Sequence, residues 1–339
     1  MILRKIIENH WYKKNNFFLT ILLYPFEIIF ICITKIRHFF YKSGIFKQNK
    51  LPIPVIIIGN ISVGGAGKTP LTKYLTQELT NLGFNIGIIL RGYKGQNQDA
   101  YIVNKDDNSQ KVGDEALIYA QSGFKVAIGK NRYLAGKILC DTYPNIQLIL
   151  ADDGLQHYAL NRDYEIAVVD GMRMFGNKHC LPMGPLREEI KRLNSINAIV
   201  VNGKPQSQQL ILQQFKSKLL IQQNMLIDRI YNPITNVSVT SEFFNNKNNV
   251  ALAAIGNPQR FFDLLTQIGI ITSKHYNFPD HYYYKLDDIP KQADTILVTE
   301  KDYVKLAQFN DDRIWVVFVK SQLNNSLLLT QIQQLIFKN

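Results

Sequence analysis

The sequence has 339 residues, a formal net charge of +12 and three cysteines, a length that allows two modest domains with real cores. Cys32, Cys140 and Cys180 are widely separated and lack C-x-x-C spacing, which argues against a disulfide framework or a zinc site and fits a reducing cytosolic compartment. The positive charge indicates an anionic partner: nucleic acid, a membrane surface and a phosphorylated substrate all fit it.

The first predicted element is an apolar segment at residues 17–33, which is short for a membrane span and contains Pro25 and Glu27. Basic residues flank it on both sides: Arg4, Lys5, Lys13, Lys14, Lys35, Arg37, Lys42 and Lys47. Because of these flanks and the interfacial aromatics Trp11 and Tyr12, residues 1–50 are predicted to form a membrane-associated helical segment in the cytosolic leaflet. A single span and a buried core helix are the alternatives. No small-residue cleavage site follows, which argues against a removable signal peptide.

The next element is a β-branched strand at 55–58, followed by a glycine-rich turn and a helical pattern from Thr69. This order predicts a phosphate-binding loop with its backbone amides at the start of a helix. The loop residues are Ser62, Val63, Gly64, Gly65, Ala66, Gly67, Lys68 and Thr69. Lys68 is expected on the β/γ-phosphates and the Thr69 hydroxyl on Mg²⁺. Ser62 replaces the usual first glycine, and Val63 lacks the signature lysine of partner-switching ATPases.

Further apolar strands are predicted at 84–90, 124–128, 147–151, 166–170 and 198–202, alternating with helices. This alternation predicts an α/β fold, a P-loop NTPase-like doubly wound parallel sheet whose ligands bind at the carboxyl ends of the strands. Asp152 and Asp153 follow the third of these strands and are expected near Mg²⁺. Asp114 and Glu115 open another helix, where a functional role and a simple helix-dipole role are equally compatible with the pattern.

The polar stretch 204–223 is predicted to be a helix and a connector, and a second α/β unit begins near 226. The predicted domains are therefore a kinase-like domain at 51–225 and a smaller α/β domain at 226–339. Two motifs in the second domain could carry chemistry: the Pro-bounded loop that holds Asp280 and His281, and residues 299–302, which follow a strand. A histidine beside tyrosines is more often structural than catalytic, so the residue pattern leaves the role of His281 open.

The ordered set of motifs resembles the tetraacyldisaccharide 4'-kinase family, the lipid A 4'-kinases of Gram-negative bacteria. The motifs span nearly the whole chain and are Gly64-Gly65-Ala66-Gly67-Lys68-Thr69, Arg91-Gly92-Tyr93, Gly113-Asp114-Glu115, Asp152-Asp153-Gly154-Leu155-Gln156-His157, Gly184-Pro185-Leu186-Arg187-Glu188, Gly256-Asn257-Pro258 and Phe278-Pro279-Asp280-His281. The resemblance implies transfer of the γ-phosphate of ATP to the 4'-hydroxyl of a tetraacylated glucosamine disaccharide 1-phosphate. It also implies work at the cytoplasmic face of the inner membrane, where an acylated anion meets an apolar segment with basic flanks.

The resemblance also implies roles for individual residues. Asp114 is expected to activate the sugar hydroxyl together with His281, which requires the two domains to close over ATP. Mg²⁺ is expected on Thr69 and Asp152, with Asp153, Gln156 and Glu188 as neighbours or water-mediated ligands. Arg132 and Arg187 are candidates for contacts with anionic oxygens in the transition state.

Two other functions share some of these features. A membrane-associated regulatory P-loop NTPase would have the same loop and apolar segment, but it leaves the Asp114 and His281 motifs unexplained. A nucleic-acid-binding ATPase would need basic and aromatic residues interleaved on one surface, whereas the positive charge is strongest around the apolar segment. We therefore expect an acylated substrate and a membrane as partners, and no nucleic acid. The sequence identifies no protein partner.

Overall fold

The computed structural model describes residues 2–13, 16–93, 95–96, 99–205, 213–215 and 217–338. Lys14 of the basic flank and residues 206–212 and 216 of the predicted helix and connector lie outside the described residues. The end of that stretch, 219–223, was predicted as connector and is instead the start of a long strand. Its backbone pairs with a neighbouring parallel strand, a tertiary constraint that the polar composition does not reveal.

The first half of the chain alternates strands and helices as predicted. The helices are α1 (Ile2–Tyr12), α2 (Phe17–Lys42), α3 (Lys68–Asn81), α4 (Ser109–Val112), α5 (Asp114–Gln121) and α6 (Arg132–Thr142). The strands are β1 (Val55–Gly59), β2 (Ile86–Leu90), β3 (Tyr101–Ile102), β4 (Lys125–Ile128), β5 (Leu148–Asp152), β6 (Tyr164–Asp170) and β7 (Ala198–Asn202). A 3-10 helix covers Ile190–Ser195.

The second half begins with the long strand β8 (Leu219–Asn232). The other strands are β9 (Val237–Val239), β10 (Asn249–Ala253), β11 (Lys274–Asn277), β12 (Thr295–Thr299) and β13 (Ile314–Leu323). The helices are α7 (Pro258–Gln267), α8 (Glu300–Leu306) and α9 (Leu327–Phe337), with short 3-10 turns at Ser241–Phe244, Leu286–Asp288 and Ala307–Phe309. The described strands form one sheet in the order β11-β10-β12-β13-β8-β7-β6-β1-β5-β2-β4-β3, and β9 pairs with β8.

The sheet is covered on both faces because its central strands are apolar throughout. Successive residues of β1 point to opposite faces: Ile57 packs in the cluster that contains Leu139 of α6, whereas Ile56 and Ile58 pack in the cluster that contains Leu75 of α3. All of these side chains are fully buried. A parallel strand covered on both faces needs such a continuous β-branched run, which confirms the doubly wound arrangement.

Strand β8 changes partners along its length and thereby positions the second half of the chain. Residues 219–223 run parallel to β7 and reach Asn202 at its carboxyl end, while 223–231 extend beyond β7 and pair antiparallel with β13. Strands β10, β11 and β12 are parallel to β13. Their carboxyl ends therefore point back toward the carboxyl ends of the first half, and a cleft lies between the two edges. Because β8 crosses position 225, the division at 225/226 stays a prediction.

Helix α2 is apolar and mostly exposed. Among the described residues it is the one helix long and apolar enough to cross a membrane, by length and composition. It continues through Pro25, and Phe18 on its outer surface is 82% exposed. This exposure does not fit the alternative of a buried core helix.

One acidic residue attaches α2 to the rest of the protein. Glu27 is 4% exposed; its Oε1 accepts a hydrogen bond from the Cys180 backbone N–H at 2.6 Å, and its Oε2 lies 3.1 Å from His179 Nδ1. Lys35 also pairs with Glu189 at 2.7 Å, and the His38 ring stacks on Tyr158. One face of the helix is therefore fixed to the protein and the other faces outward.

Replacing Glu27 by Ala is expected to destabilise the docking of α2. The Cys180 N–H would lose its buried acceptor, a change that typically costs about 1–3 kcal/mol. Phe26→Ala, at a neighbouring side chain that is 56% exposed, is the matched control and should leave stability unchanged. Thermal unfolding in detergent measures both variants, and equal melting temperatures would contradict the role given to Glu27.

Candidate active site

The phosphate-binding loop lies between β1 and α3, as its sequence predicts. Gly64 and Gly67 have φ of +103° and +96°, and Gly67 is the N-cap of α3. A Cβ at position 67 would lie 1.9 Å from Asn202 Nδ2, so only glycine fits there. Ser62 forms an antiparallel bridge with Leu186, and the Val63 N–H donates to Pro185 O at 2.8 Å. The position that usually holds the first glycine is thus paired to the loop that carries Arg187.

Lys68 is the first residue of α3 and is held by two acceptors. Its Nζ donates to Asn60 Oδ1 at 3.1 Å and lies 3.3 Å from Asp153 Oδ1. Arg187 Nη1 also binds Asp153, at 3.0 Å. Burial opposes the charge of Asp153, but these two cations outweigh it and hold the pKa of Asp153 well below its usual range. The three side chains form a charged group at the start of the helix, where an anion binds most favourably.

Asp152 has a different environment although it is the preceding residue. It is buried and accepts a hydrogen bond from the Tyr119 hydroxyl at 2.6 Å. Burial, supported by repulsion from Glu115, raises the pKa of Asp152 to about 7. The two adjacent carboxylates therefore differ in their charge at neutral pH.

Gln156 and Glu188 bind each other beneath the loop. Gln156 Nε2 donates to Glu188 Oε1 at 2.7 Å and to Asn60 O at 3.2 Å. The Tyr158 hydroxyl donates to the other oxygen of Glu188. Within the described residues no group of three or more His, Cys, Asp and Glu side chains could hold a metal ion.

Asp114 and His281 come from different halves of the chain and form a hydrogen bond, with 3.1 Å between Oδ2 and Nδ1. Asp114 is the first residue of α5 and is buried, and His281 has a φ of +59° in the 278–284 loop. Lys301 at the start of α8 approaches the other ring nitrogen, with Nζ 3.1 Å from Nε2. The pair that the family resemblance implies is thus assembled.

Lys301 determines which nitrogen of His281 carries the proton. Burial opposes its charge, but the Glu115 and Asp280 carboxylates, 3.4 and 3.2 Å away, raise the pKa of Lys301 above its usual range. An ammonium only donates, so Nε2 accepts and Nδ1–H donates to Asp114. Burial also opposes the charge of Asp114, but the bond from His281 and the Lys305 cation hold its pKa below its usual range. Asp114 is therefore an ionised carboxylate that a neutral imidazole orients.

A cavity of about 850 Å³ lies in the cleft between the two sheet edges. Ten of the predicted site residues line it, and they are Val63, Gly64, Gly65, Ala66, Gly67, Lys68, Thr69, Asp153, Arg187 and His281. The other six do not line it in the described structure, and they are Ser62, Asp114, Arg132, Asp152, Gln156 and Glu188. Most of these six contact lining residues from behind.

Arg132 is the exception among the predicted site residues. It is buried at the start of α6, and its Nη1 donates to Gly129 O at 3.2 Å. Burial lowers the pKa of Arg132 to about 10. The Asp153 and Asp152 carboxylates oppose this effect, so Arg132 lies within electrostatic reach of the site, and its contact with the transition state stays a prediction.

Several residues that line the cavity have no site role in the sequence analysis. Trp11 and Tyr12 were interpreted as interfacial aromatics, but Trp11 Nε1 donates to Pro182 O at 3.1 Å and the Tyr12 hydroxyl lies 3.4 Å from Val63 O. Helix α1 is therefore a wall of the cavity. Lys301 belongs to a motif that we identified without assigning it a function. Its position just after a predicted strand could have indicated a site residue, because parallel sheets bind ligands at the carboxyl ends of their strands.

A phosphate loop after the first strand of a parallel sheet binds nucleotide phosphates. In this chain the same cavity is also lined by His281, which is hydrogen-bonded to the Asp114 carboxylate. Such a pair can remove the proton from a hydroxyl group that accepts a phosphoryl group. The fold and the site together define a P-loop phosphotransferase.

Comparison with known proteins identifies the family. A family model described as tetraacyldisaccharide-1-P 4'-kinase matches residues 19–336. The tetraacyldisaccharide 4'-kinase of Chromobacterium violaceum is 40% identical over 324 residues, 94% of each chain, and that of Methylobacillus flagellatus is 38% identical over 328 residues, 95% of this chain and 93% of its own. A crystal structure of the "apo" form of LpxK from Aquifex aeolicus in complex with ATP superposes with a TM-score of 0.79 at 27% identity, covering 94% of this chain and 99% of that one. The chain belongs to the tetraacyldisaccharide 4'-kinase family.

A substitution at the contact between the two halves should disturb the phosphate loop. A Cβ at Gly256 would lie 2.3 Å from the Gly65 backbone nitrogen, whereas a Cβ at Gly65 would meet Gly256 at an ordinary 3.5 Å. Overpacking against backbone costs about 1–3 kcal/mol, so Gly256→Ala should weaken ATP binding by roughly 10- to 100-fold. Gly269→Ala, where an added Cβ meets no atom within 4 Å and which does not line the cavity, is the control and should bind ATP nearly as wild type. Calorimetric titration with ATP measures both, and normal binding by Gly256→Ala would show that this contact opens before nucleotide binds.

Proposed function

We propose that this chain transfers the γ-phosphate of ATP to the 4'-hydroxyl of a tetraacylated glucosamine disaccharide 1-phosphate, a step of lipid A biosynthesis. Its relatives carry the name tetraacyldisaccharide 4'-kinase, and its structural neighbour LpxK is in complex with ATP. The observation that carries the proposal is the hydrogen bond between Asp114 and His281, beside the cavity that the phosphate loop lines. A regulatory NTPase has no need for such an acceptor-activating pair.

ATP is proposed to bind with its phosphates on the loop amides and on Lys68. The loop lies at the positive end of α3, which favours anionic oxygens. Lys68 would exchange its contact with Asp153 for phosphate oxygens, and Arg187 is close enough to follow the charge that develops during transfer.

The oxygen donors at this edge of the cavity support a magnesium site: Thr69 and Asp153 line the cavity, and Asp152 lies directly behind Asp153, whose N–H donates to Asp152 Oδ1 at 2.8 Å. Mg²⁺ is usually held by one or two carboxylates together with the phosphates of the substrate, and no larger cluster of ligands exists in the described chain. Thr69 and Asp152 are the proposed ligands, with Asp153, Gln156 and Glu188 as neighbours that orient them. When bound, the ion would neutralise charge on the β- and γ-phosphate oxygens.

Asp114 and His281 are proposed to remove the proton of the 4'-hydroxyl. The acceptor oxygen forms a bond to the γ-phosphorus, the bond from that phosphorus to the bridging oxygen breaks, and ADP leaves with the electron pair. The proton passes to the pair. His281 lines the cavity and Asp114 lies directly behind it, so the hydroxyl is proposed to approach from the side of His281 and Lys301, with Asp114 holding the imidazole in place.

The membrane is proposed to bind through the outward face of α2. That face is apolar, and Lys35, Arg37 and Lys42 follow on the same helix, where they can approach anionic headgroups. Glu27 keeps the opposite face on the protein, which favours a helix lying in the cytoplasmic leaflet of the inner membrane over one that crosses it.

Labelled phosphate should appear on the lipid when detergent-solubilised protein receives γ-labelled ATP, Mg²⁺ and a tetraacyldisaccharide 1-phosphate. Lys68→Ala should abolish the transfer because the β/γ-phosphates lose their cation. Lys137→Ala removes an exposed lysine of α6 and is the control. Lipid-independent hydrolysis of ATP with no labelled lipid would overturn the kinase proposal in favour of a regulatory NTPase.

Asp114→Asn and His281→Gln should each reduce lipid phosphorylation by roughly 10²- to 10⁴-fold, the usual contribution of general base catalysis. ATP affinity should be unchanged, since neither residue belongs to the phosphate loop. Asp141→Asn, at an exposed carboxylate on α6, serves as the control for loss of a negative charge. Turnover that survives both active-site substitutions would remove this pair from the mechanism.

A further inference from the structure

Lys305 on α8 is a buried lysine between two carboxylates, and it has no role in the mechanism described above. Its side chain is 1% exposed, and its Nζ lies 3.6 Å from Asp114 Oδ2 and 3.6 Å from Asp302 Oδ1. Among the described residues Nζ has no hydrogen-bond partner. A buried ammonium is costly unless its charge is used, so its position between two carboxylates needs a reason.

Asp302 does not need Lys305 for its hydrogen bonds. Its Oδ1 accepts from the Ala254 backbone N–H at 3.0 Å and from the Tyr284 hydroxyl at 2.8 Å, and its Oδ2 pairs with the Thr299 hydroxyl at 2.7 Å. Asp302 is thus satisfied by three donors and fixed at the start of α8. Its charge in turn retains the Lys305 ammonium beside Asp114.

Lys301 is the other cation near Asp114. Its Nζ hydrogen-bonds to Glu115, Asp280 and His281 Nε2. Within the described part of the chain, the Tyr283 and Tyr284 hydroxyls also face Asp114. Both lysines lower the pKa of Asp114, and Lys305, whose Nζ lies 3.6 Å from Oδ2, does so more strongly than Lys301.

We propose that Lys305 is a positioning residue for acceptor activation: its buried ammonium keeps Asp114 ionised and holds the carboxylate in place beside His281. The effect of Lys305 on catalysis rests on the proposed function, in which Asp114 and His281 activate the acceptor hydroxyl. Asp302 retains Lys305, Lys305 stabilises the charge of Asp114, and His281 sets its orientation. A change in Lys305 should therefore alter the pH range in which the enzyme works, and a purely structural lysine would not do this.

The sign of the effect follows from the charge. Asp114 works as a carboxylate, so activity falls as pH drops through its pKa. With saturating MgATP, which would hold Asp152 ionised, the acidic limb of the pH profile of kcat/KM for the lipid acceptor reports Asp114. Removing a nearby cation raises that pKa. Lys305→Met should therefore move the acidic limb upward by about one pH unit, a roughly tenfold extra loss of activity below the limb. Lys305→Arg keeps the charge and should restore the wild-type limb.

Asp302 provides the discriminating control. If Lys305 only neutralises Asp302, then Lys305→Met and Asp302→Asn should both lower the melting temperature, the double variant should restore it, and no limb should move. Under the proposal, Asp302→Asn moves the limb far less than Lys305→Met, because Lys305 keeps its charge and its contact with Asp114 Oδ2. The double variant still shows the upward shift. It also keeps the test usable if Lys305→Met alone fails to fold, because the buried pair is then removed as a unit.

A measurement without substrate separates this inference from the proposed function. In protein labelled with ¹³C-aspartate, with Asp114 assigned from the Asp114→Asn variant, the carboxyl carbon shift reports ionisation of Asp114. The inflection should move upward by about one pH unit in Lys305→Met or in the double variant. An unmoved inflection overturns the role of Lys305 whether or not lipid is phosphorylated. A moved inflection with no lipid phosphorylation keeps the electrostatic role and overturns the kinase proposal instead.

Discussion

The antiparallel pairing of β8 with β13 is the constraint on which the site depends. The first half of the sheet ends at the level of Asn202 and Gln223, and β8 continues past that edge to Asn232. Because β13 runs back along this extension, the parallel strands next to it direct their carboxyl ends toward the first half. Parallel sheets bind ligands at their carboxyl ends. This chain makes two such edges face each other, so one cavity collects side chains from both.

The electrostatics of the site follow from this arrangement. Asp153, Asp152 and Asp114 are all carboxylates at or near the sheet edges, yet their surroundings give them different charges. Asp153 has Lys68 and Arg187, and Asp114 has His281 and Lys305, so both remain anionic. Asp152 is buried beside Tyr119 and near Glu115, and burial raises its pKa instead. Different environments for like groups are a common way to separate roles in one active site.

The fold was predictable where the signal is local. The β-branched run of β1, the loop glycines and the acidic pair after β5 each define a strand, a turn or a strand end within a few residues. The pairing of Asp114 with His281 came from family resemblance, since residues 167 positions apart carry no mutual signal in a single sequence. Arg132 was proposed from its residue type and its place at a helix start, and these do not show that its side chain is buried and donates to Gly129 O. The strand at 219–223 was missed because its partner β7, not its composition, fixes it.

The N-terminal helices connect the apolar surface to the cavity, and this connection has a physical consequence for an acylated acceptor. Glu27 of α2 holds the backbone at Cys180, and the same loop returns through Pro185 to pair with Val63 of the phosphate loop. Helix α1 then places Trp11 and Tyr12 in the cavity wall. An amphipathic substrate would have its acyl chains and its sugar headgroup in two phases a short distance apart. Under the proposed membrane contact, α2 lies at that boundary with its apolar face outward and Glu27 on the protein side, and an acceptor could receive the phosphoryl group without leaving the bilayer.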